Sequence, residues 1–578
     1  MSGPLSPPHH HSDERHVTET SALLSPDLGV AIPGTESNGG YQSTASNPTE
    51  TSDDGHIAAN QSLSRTRAIS AAFFLGCLIF LQAVNISLLT TTQSVIANDL
   101  DAFEKTSWFT SAYLIPMSAL GPLMGKLSSV FSPRHCILVS AVIMAIGSLL
   151  SAFARTFEAF IVGRAVAGVG ASGVFTVSII IVLELTGAQR RGLGIGLLNS
   201  GYTIGVAIGA FAAGALLPIT GWRSLFWMQS PLALVAGSAL YFTIPASFTS
   251  SSTVSSSKST WHRLRCLDYL GALTLTTTLV LLLYALSAPK KIPILPLLLA
   301  LLTAATFILN EVYLASDPVI PISLLRSRGL LLSCLGTVGF MMSRWSVLFF
   351  TPTYAIAIKQ WAPSSAGGLL IPTNLGFAVG GLLIGWVHIR RQGSFYLPTL
   401  ITYALFPITL LLLALLTRGD SSTVLFIAVL FLSGLVTGAA LNYGMAHVLH
   451  LTPKETHYVA TALLATFRGF AGSFGSAIGG GLFTRTLNDR LTTHFAERGI
   501  TNDALVRKLL GSPALVASLS GKEREIAVTS YEESLKVLWL AMAGVAVLMV
   551  FVQAGTGWKG HRQDKTLTTV ESDVLPSE

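Results

Sequence analysis

The chain of 578 residues is 51% apolar and only 11% charged, with a mean hydropathy of +0.60, whereas ordinary soluble domains carry about one quarter charged residues. That balance excludes a water-exposed globular protein and makes the lipid bilayer the environment that fits. The net charge of +7 does not indicate a nucleic-acid partner, because Lys and Arg are scattered through short loops, and Cys77, Cys136, Cys266 and Cys334 lie in or beside apolar segments and form no disulfide framework.

Residues 1–67 are rich in Ser, Thr, Pro, Gly, Asn and His and have no apolar period, so a disordered cytosolic tail is expected. Within it, Glu19 followed by Leu23 and Leu24 fits an acidic dileucine sorting pattern, and His9, His10 and His11 stand without further ligands, so no metal site is expected. The first long apolar run begins near Ala68, behind Arg65 and Arg67, which predicts an inserting first helix and no cleavable signal peptide.

Crossing about 30 Å of hydrocarbon takes about 20 helical residues. Segments of that kind are predicted near 69–90, 107–127, 136–154, 159–183, 193–217, 224–246, 269–288, 292–314, 330–352, 365–387, 398–417, 423–446, 459–483 and 537–555. The expected protein is therefore an all-α integral membrane protein with fourteen spans. Its organisation reads as a first six-helix half (68–246), a Ser-rich cytosolic linker (247–266), two inserted helices (267–315), a second six-helix half (316–556) and a cytosolic tail (557–578). A cytosolic N-terminus puts Arg134, Arg190, Arg191, Arg263, Arg265, Arg326, Arg328, Arg390 and Arg391 on the cytosolic side. The segment 485–536, expected as a non-cytosolic loop, holds eight Lys and Arg and runs against that rule. An internal echo supports two related halves: GVAIG at Gly205–Gly209 recurs as GSAIG at Gly475–Gly479.

Gly196, Gly205, Gly209 and Gly214 lie along the fifth predicted helix, where glycine lets helices approach closely; static packing and a sliding surface are both open readings. Arg164 falls inside the fourth span, where a charge costs about 2.5 kcal/mol or more unless it faces a cavity or partner, or snorkels to the interface. Arg344 sits near the middle of the ninth span and is expected to line an aqueous cavity, with Trp345 and Tyr354 as an aromatic wall or as packing. Arg468 is read as a cavity residue or as a packing and capping residue. Acids are scarce: Glu184 and Glu311 fall near helix ends, Asp99 and Asp268 lie just outside spans, and the first helix offers Gln82 and Asn85, which do not titrate. Buried cations with few opposing acids favour an anionic or zwitterionic solute. No HExxH pattern and no GxxxxGK[ST] loop supports zinc hydrolysis or ATP-driven pumping.

Over residues 68–560 the chain resembles fungal major facilitator transporters of the fourteen-helix drug:proton antiporter group, near the vacuolar basic amino-acid transporters and their multidrug relatives. The resemblance rests on SWFTSAYLI from Ser107, GRAVAGVG from Gly163, GWRSLFWMQSPLAL from Gly221 and PVIPISLLRSR from Pro318. It implies a major facilitator fold and places Arg164 in a motif implicated in proton transfer. It also likens Gly196–Gly214 to the antiporter motif of the fifth helix, with Ala210 where a proline is usual. The loop from Gly125 through Arg134 resembles the gate motif, but Ser129 replaces its aspartate and Ser132 its glycine; the expected first-helix aspartate is Asn85. The implied protein is no enzyme and needs no cofactor. It is expected to be a monomeric secondary active transporter of amino acids, drugs or metabolites, coupled to protons, in the vacuolar or plasma membrane. A non-transporting nutrient sensor on the same scaffold is the alternative, as is a plasma-membrane efflux pump.

Overall fold

A computed structural model describes residues 65–558, apart from 186, 246–263, 265–266, 290, 316–317, 319, 321–325, 388–393, 454–455 and 501. The sorting pattern at Glu19, Leu23 and Leu24, the histidine run, nearly all of the Ser-rich linker, Arg390, Arg391 and the end of the C-terminal tail lie outside the described residues.

The described residues form helices and no strands. The first half comprises α1 (Arg65–Ser87), α2 (Leu89–Asp99), α3 (Ser107–Ala119), α4 (Gly121–Val130), α5 (Pro133–Ala152), α6 (Phe157–Leu185), α7 (Gly187–Trp227) and α8 (Gln229–Thr243). The inserted pair is α9 (Tyr269–Leu286) and α10 (Ile294–Leu309), the latter closed by a π turn at Asn310–Leu314. The second half comprises α11 (Arg328–Ala357), α12 (Pro363–Gly368), α13 (Leu370–Val387), α14 (Tyr396–Leu416), α15 (Thr423–Leu451), α16 (His457–Glu497), α17 (Asp503–Gly511) and α18 (Gly521–Ala554).

Eleven helical stretches among the described residues are long and apolar enough to cross a membrane. Three expected segments fall outside that set. The one at 107–127 breaks at Leu120, between Pro116 and Pro122, into pieces of 13 and 10 residues, because proline cannot donate to the helix ladder. The one at 224–246 yields only the 15-residue α8, and the one at 459–483 lies in α16, whose run is diluted by glycine, serine and threonine.

The stretch 485–536, expected as a non-cytosolic connection between the last two spans, is largely helical. Helix α16 continues to Glu497, α17 and a 3-10 turn at Pro513–Ser518 follow, and α18 begins at Gly521. The charges that resembled a loop are used between helices. Arg490 faces Glu533 at 3.3 Å and Arg498 faces Glu525 at 3.0 Å, while Arg507 reaches Asp101 at 3.1 Å. Arg485 donates from Nη1 to the carbonyls of Leu286 and Ala288 at 2.8 and 2.9 Å, closing the end of α9.

Glycine sets how closely the helices pack. A Cβ on Gly205 would lie 2.7 Å from Ala83 Cβ, and one on Gly209 would lie 2.5 Å from Ser87 Oγ and 2.8 Å from Val84 Cα, so α7 lies directly on α1. In the echoing sequence, a Cβ on Gly475 would lie 2.7 Å from Trp345 Cβ and one on Gly479 2.8 Å from Ser346 Oγ, placing α16 directly on α11. Each pair thus clamps corresponding helices of the two halves. Gly214 does something else: a Cβ there would lie 2.5 Å from Pro363 O, so α7 meets α12 of the opposite half backbone to backbone. Gly196 also lies on α7.

The inserted pair attaches by α9, which packs on both α3 and α16, whereas α10 packs on α9 and leaves Ala300 as its buried residue. Leu295, Leu298, Leu301 and Leu302 point outward from α10, as a lipid-facing helix requires.

Replacing Gly209 by valine should lower the thermal stability of the detergent-purified protein by about 1–3 kcal/mol through overpacking. Gly201→Ala, where no heavy atom lies within 4 Å, should leave the melting curve in place; equal loss in both variants would contradict the close-packing account.

Candidate functional site

Arg164 enters from α6 and is fully buried within the first half. Nε donates to Phe109 O at 2.9 Å, Nη1 to Asn85 Oδ1, and Nη2 to Asn85 O at 3.3 Å. Asn85 in turn donates from Nδ2 to Gln229 Oε1 at 2.8 Å, and Gln229 donates to Leu225 O. The guanidinium carbon lies 4.6 Å from the Tyr113 ring centre and 5.6 Å from that of Phe226. The cation is therefore held internally by amide and backbone oxygens and by aromatic faces, not by snorkelling.

Arg344, only 6% exposed, turns its guanidinium toward α13. It donates to Thr373 Oγ1 at 3.4 Å and Asn374 Oδ1 at 3.0 Å, and lies 4.5 Å from the Phe377 ring centre. Asn374 is itself buried, and its Nδ2 has no hydrogen-bond partner among the described residues. The same composition serves both halves: a guanidinium, an asparagine oxygen, a further oxygen and an aromatic face. No carboxylate forms an ion pair with either arginine among the described residues.

Arg468, half-buried on α16, makes no hydrogen bond or ion pair among the described residues. It lies within Coulombic reach of Tyr202 on α7 and of Arg344 on α11, so its charge acts between helices of both halves. Trp345 stacks on Phe349 at 5.4 Å and packs against core clusters of both halves. Tyr354 stands apart, 2% exposed, stacked on Phe426 at 4.1 Å with its hydroxyl 3.1 Å from Ser421, a packing position inside the second half.

The gate-like loop is wired through other groups. Arg134 lies 5.1 Å from the Tyr241 ring centre, and Lys126 donates to Pro318 O at 2.8 Å. A Cβ on Gly125 would meet Thr176 at an ordinary 3.4 Å. Gln229, Asn374 and Tyr202 escaped sequence reasoning; the signal available for the first two was an uncharged amide inside an apolar run, which the bilayer makes costly without a partner.

Asn85→Leu, similar in volume but without the oxygen, should destabilise the protein by about 1–3 kcal/mol because Arg164 loses its side-chain acceptor. Calorimetry or fluorescence unfolding in detergent measures this, and an unchanged unfolding temperature would show that the cation needs no such bond.

Comparison with known proteins supplies the family. The family model for the Major Facilitator Superfamily matches residues 75–476. The chain is 26% identical over 517 residues to the MFS-type transporter TwmF of Talaromyces wortmannii, spanning 86% of this chain and 90% of that protein. It is 25% identical over 505 residues to the efflux pump aflT of Aspergillus parasiticus, spanning 84% and 95%. Among solved structures it is similar to an inward-facing, unoccupied bacterial homologue of the human lysosomal transporter Spinster, with TM-score 0.58 and 13% identity over 89% of this chain and 100% of that one. The D-xylose-proton symporter gives TM-score 0.51 and 15% identity over 79% and 97%. Those two likenesses concern the fold alone. The apolar helices, the two glycine-clamped halves and the family match together establish that this chain is a multi-pass membrane protein and belongs to the major facilitator superfamily.

Proposed function

We propose that the protein is a secondary active exporter of small organic solutes bearing an acidic group, working by alternating access and coupled to protons. Its fourteen spans comprise six in each half plus α9 and α10. The observation that carries the substrate class is the arrangement of Arg468, Arg344 and Asn374. Arg344 and Asn374, whose Nδ2 is unspent, meet inside the second half with Arg468 within Coulombic reach of Arg344, and no acid pairs with either arginine among the described residues, an arrangement that attracts a ligand rich in acceptors. The relatives' names support export: besides the efflux pump of Aspergillus parasiticus, a transporter of the acurin A biosynthesis cluster of Aspergillus aculeatus is 26% identical over 499 residues. Alternating access is supported by the backbone-close meeting of α7 with α12 and by the Ser111 to Ser476 hydroxyl contact of 2.8 Å between α3 and α16.

Metabolite profiling of cells with and without the protein should show one class of organic acids retained when it is missing. Robust transport of free lysine or arginine would defeat the acidic-solute reading. Arg468→Gln should raise KM for the acidic solute about tenfold, the equivalent of one lost charged hydrogen bond.

In proteoliposomes, Asn85→Asp sets a titratable carboxyl against Arg164 and should make flux more steeply dependent on pH. Absence of flux in both the parent and this variant would favour a sensor. Leu23→Ala with Leu24→Ala should move a fluorescent fusion from the vacuolar to the plasma membrane, and an unmoved fusion would remove the sorting role.

A further inference from the structure

Among the described residues only two that are not glycine adopt a positive φ, Asp101 at 46° and Gln360 at 57°. Residues in this left-handed region persist where their surroundings fix them, and they collect at switch regions. Asp101 lies in the connection between α2 and α3 of the first half, and Gln360 in that between α11 and α12 of the second. Each is gripped by an arginine from the segment between α16 and the body of α18. Arg507 Nη1 lies 3.1 Å from Asp101 Oδ1, and its Nη2 donates to Asp101 Oδ2 at 3.2 Å and to Asp101 O at 3.3 Å, while Arg524 donates to Gln360 Oε1.

Helix α17 spans the two halves. Asn502 caps it, Oδ1 accepting from Leu505 N at 3.0 Å, and Val506, Leu509 and Leu510 are buried while Arg507 and Lys508 stay exposed. The second half carries it: α17 packs on α16, Tyr531 of α18 donates its hydroxyl to Leu509 O, and the 3-10 turn Pro513–Ser518 seats on α11 and α18. The first half receives it: α17 packs on α2 and on the 3-10 turn Phe103–Lys105. A Cβ on Gly511 would lie 2.4 Å from Phe103 Cα, so no side chain fits there.

The seam between the halves is tightest at this end. Along α16, a Cβ on Gly480 would lie 2.8 Å from Ser107 Cβ, one on Gly472 3.5 Å from Leu114 Cδ1 and one on Gly469 3.7 Å from Ser118 Cβ. Helices α3 and α16 therefore draw apart with distance from α17. We propose that α17 is a latch: the second half holds it, the first half receives it at Asp101 and Phe103, and this end of the seam opens only when it lets go. Toward the second half the latch is tied by backbone and apolar packing, whereas toward the first it relies on an exposed ion pair and one glycine-wide contact. An exposed pair contributes little, so the first-half side is the one that yields. The latch rests on the alternating-access reading and on no particular solute.

The test uses the full-length protein in lipid nanodiscs, its four native cysteines replaced by serine, with nitroxide labels read by double electron–electron resonance. Ala159→Cys on α6 with Ala504→Cys on α17 follows the latch, and Ala159→Cys with Val424→Cys on α15 follows the seam; all three positions are exposed. Gly511→Leu leaves α17 unable to seat and should make a longer separation the major population in both pairs. Arg507→Glu sets two carboxylates against each other and should raise the long-to-short ratio about fivefold in both. Arg498→Glu breaks a comparably exposed pair with Glu525 inside the second half and should leave the parent distributions in place. Lengthening of the latch pair alone, an equal shift from Arg498→Glu, or parent distributions in both Gly511→Leu and Arg507→Glu overturns the proposal. Unfolding curves identify folded variants, and the surface substitution Arg507→Glu decides alone if Gly511→Leu does not fold. Acid flux of the parent in proteoliposomes is measured alongside. Lengthening of both pairs without flux keeps the latch and removes the transport reading, whereas flux with unchanged distances removes the latch alone.

Discussion

A guanidinium inside hydrocarbon must find oxygen. In many proteins a carboxylate answers that need, and in a low dielectric the resulting pair is strong but also rigid and self-neutralising. Here Arg164 and Arg344 are answered by Asn85 and Asn374, helped by a carbonyl, a hydroxyl and aromatic faces. Amides and rings stabilise the cation without cancelling it. The interior therefore keeps a net positive character, to which Arg468 adds from α16. The proposed preference for acidic solutes follows from that uncancelled charge more directly than from any single contact.

The second organising feature is close helix approach. The bilayer gives helices little hydrophobic reason to associate, so shape complementarity and dispersion must do it. Gly205 and Gly209 let α7 reach α1, and Gly475 and Gly479 let α16 reach α11. With both clamps in place each half behaves as a packed unit, and the remaining freedom lies at the surfaces between halves. There the contacts include Gly214 against Pro363 on α12, Ser111 against Ser476 between α3 and α16, and the ion pair of Arg507 with Asp101.

Much of this was legible in the residues. Apolar length located the helices, and the repeated GxxxG-like spacing marked the two clamps, because a five-residue match carried the same packing duty twice. Arg164 and Arg344 were conspicuous because hydrocarbon penalises charge. What stayed hidden depended on partners distant in sequence. Asn374 serves Arg344 from another helix, Gln229 supports Asn85 from 144 residues away, and Tyr354 is committed to Phe426, none of which spacing along one helix encodes. In the stretch 485–536 the pairing was hidden rather than the exposure: Arg490 and Arg498 stay partly open to solvent but meet Glu533 and Glu525 once α16 and α18 lie side by side.

The attachment of α9 makes the molecule lopsided. It leans on α3 and α16 together, and Arg485 ties its last carbonyls to α16. Polar bonds thus gather on one flank of the seam, where α3, α9 and α16 meet, while the opposite flank, where α7 faces α12 and α13, is joined by close backbone approach and by apolar packing of Val206 and Ala210 against Leu370. α9 therefore couples one helix of each half through a single inserted element, a link of a kind that the rest of the seam lacks among the described residues.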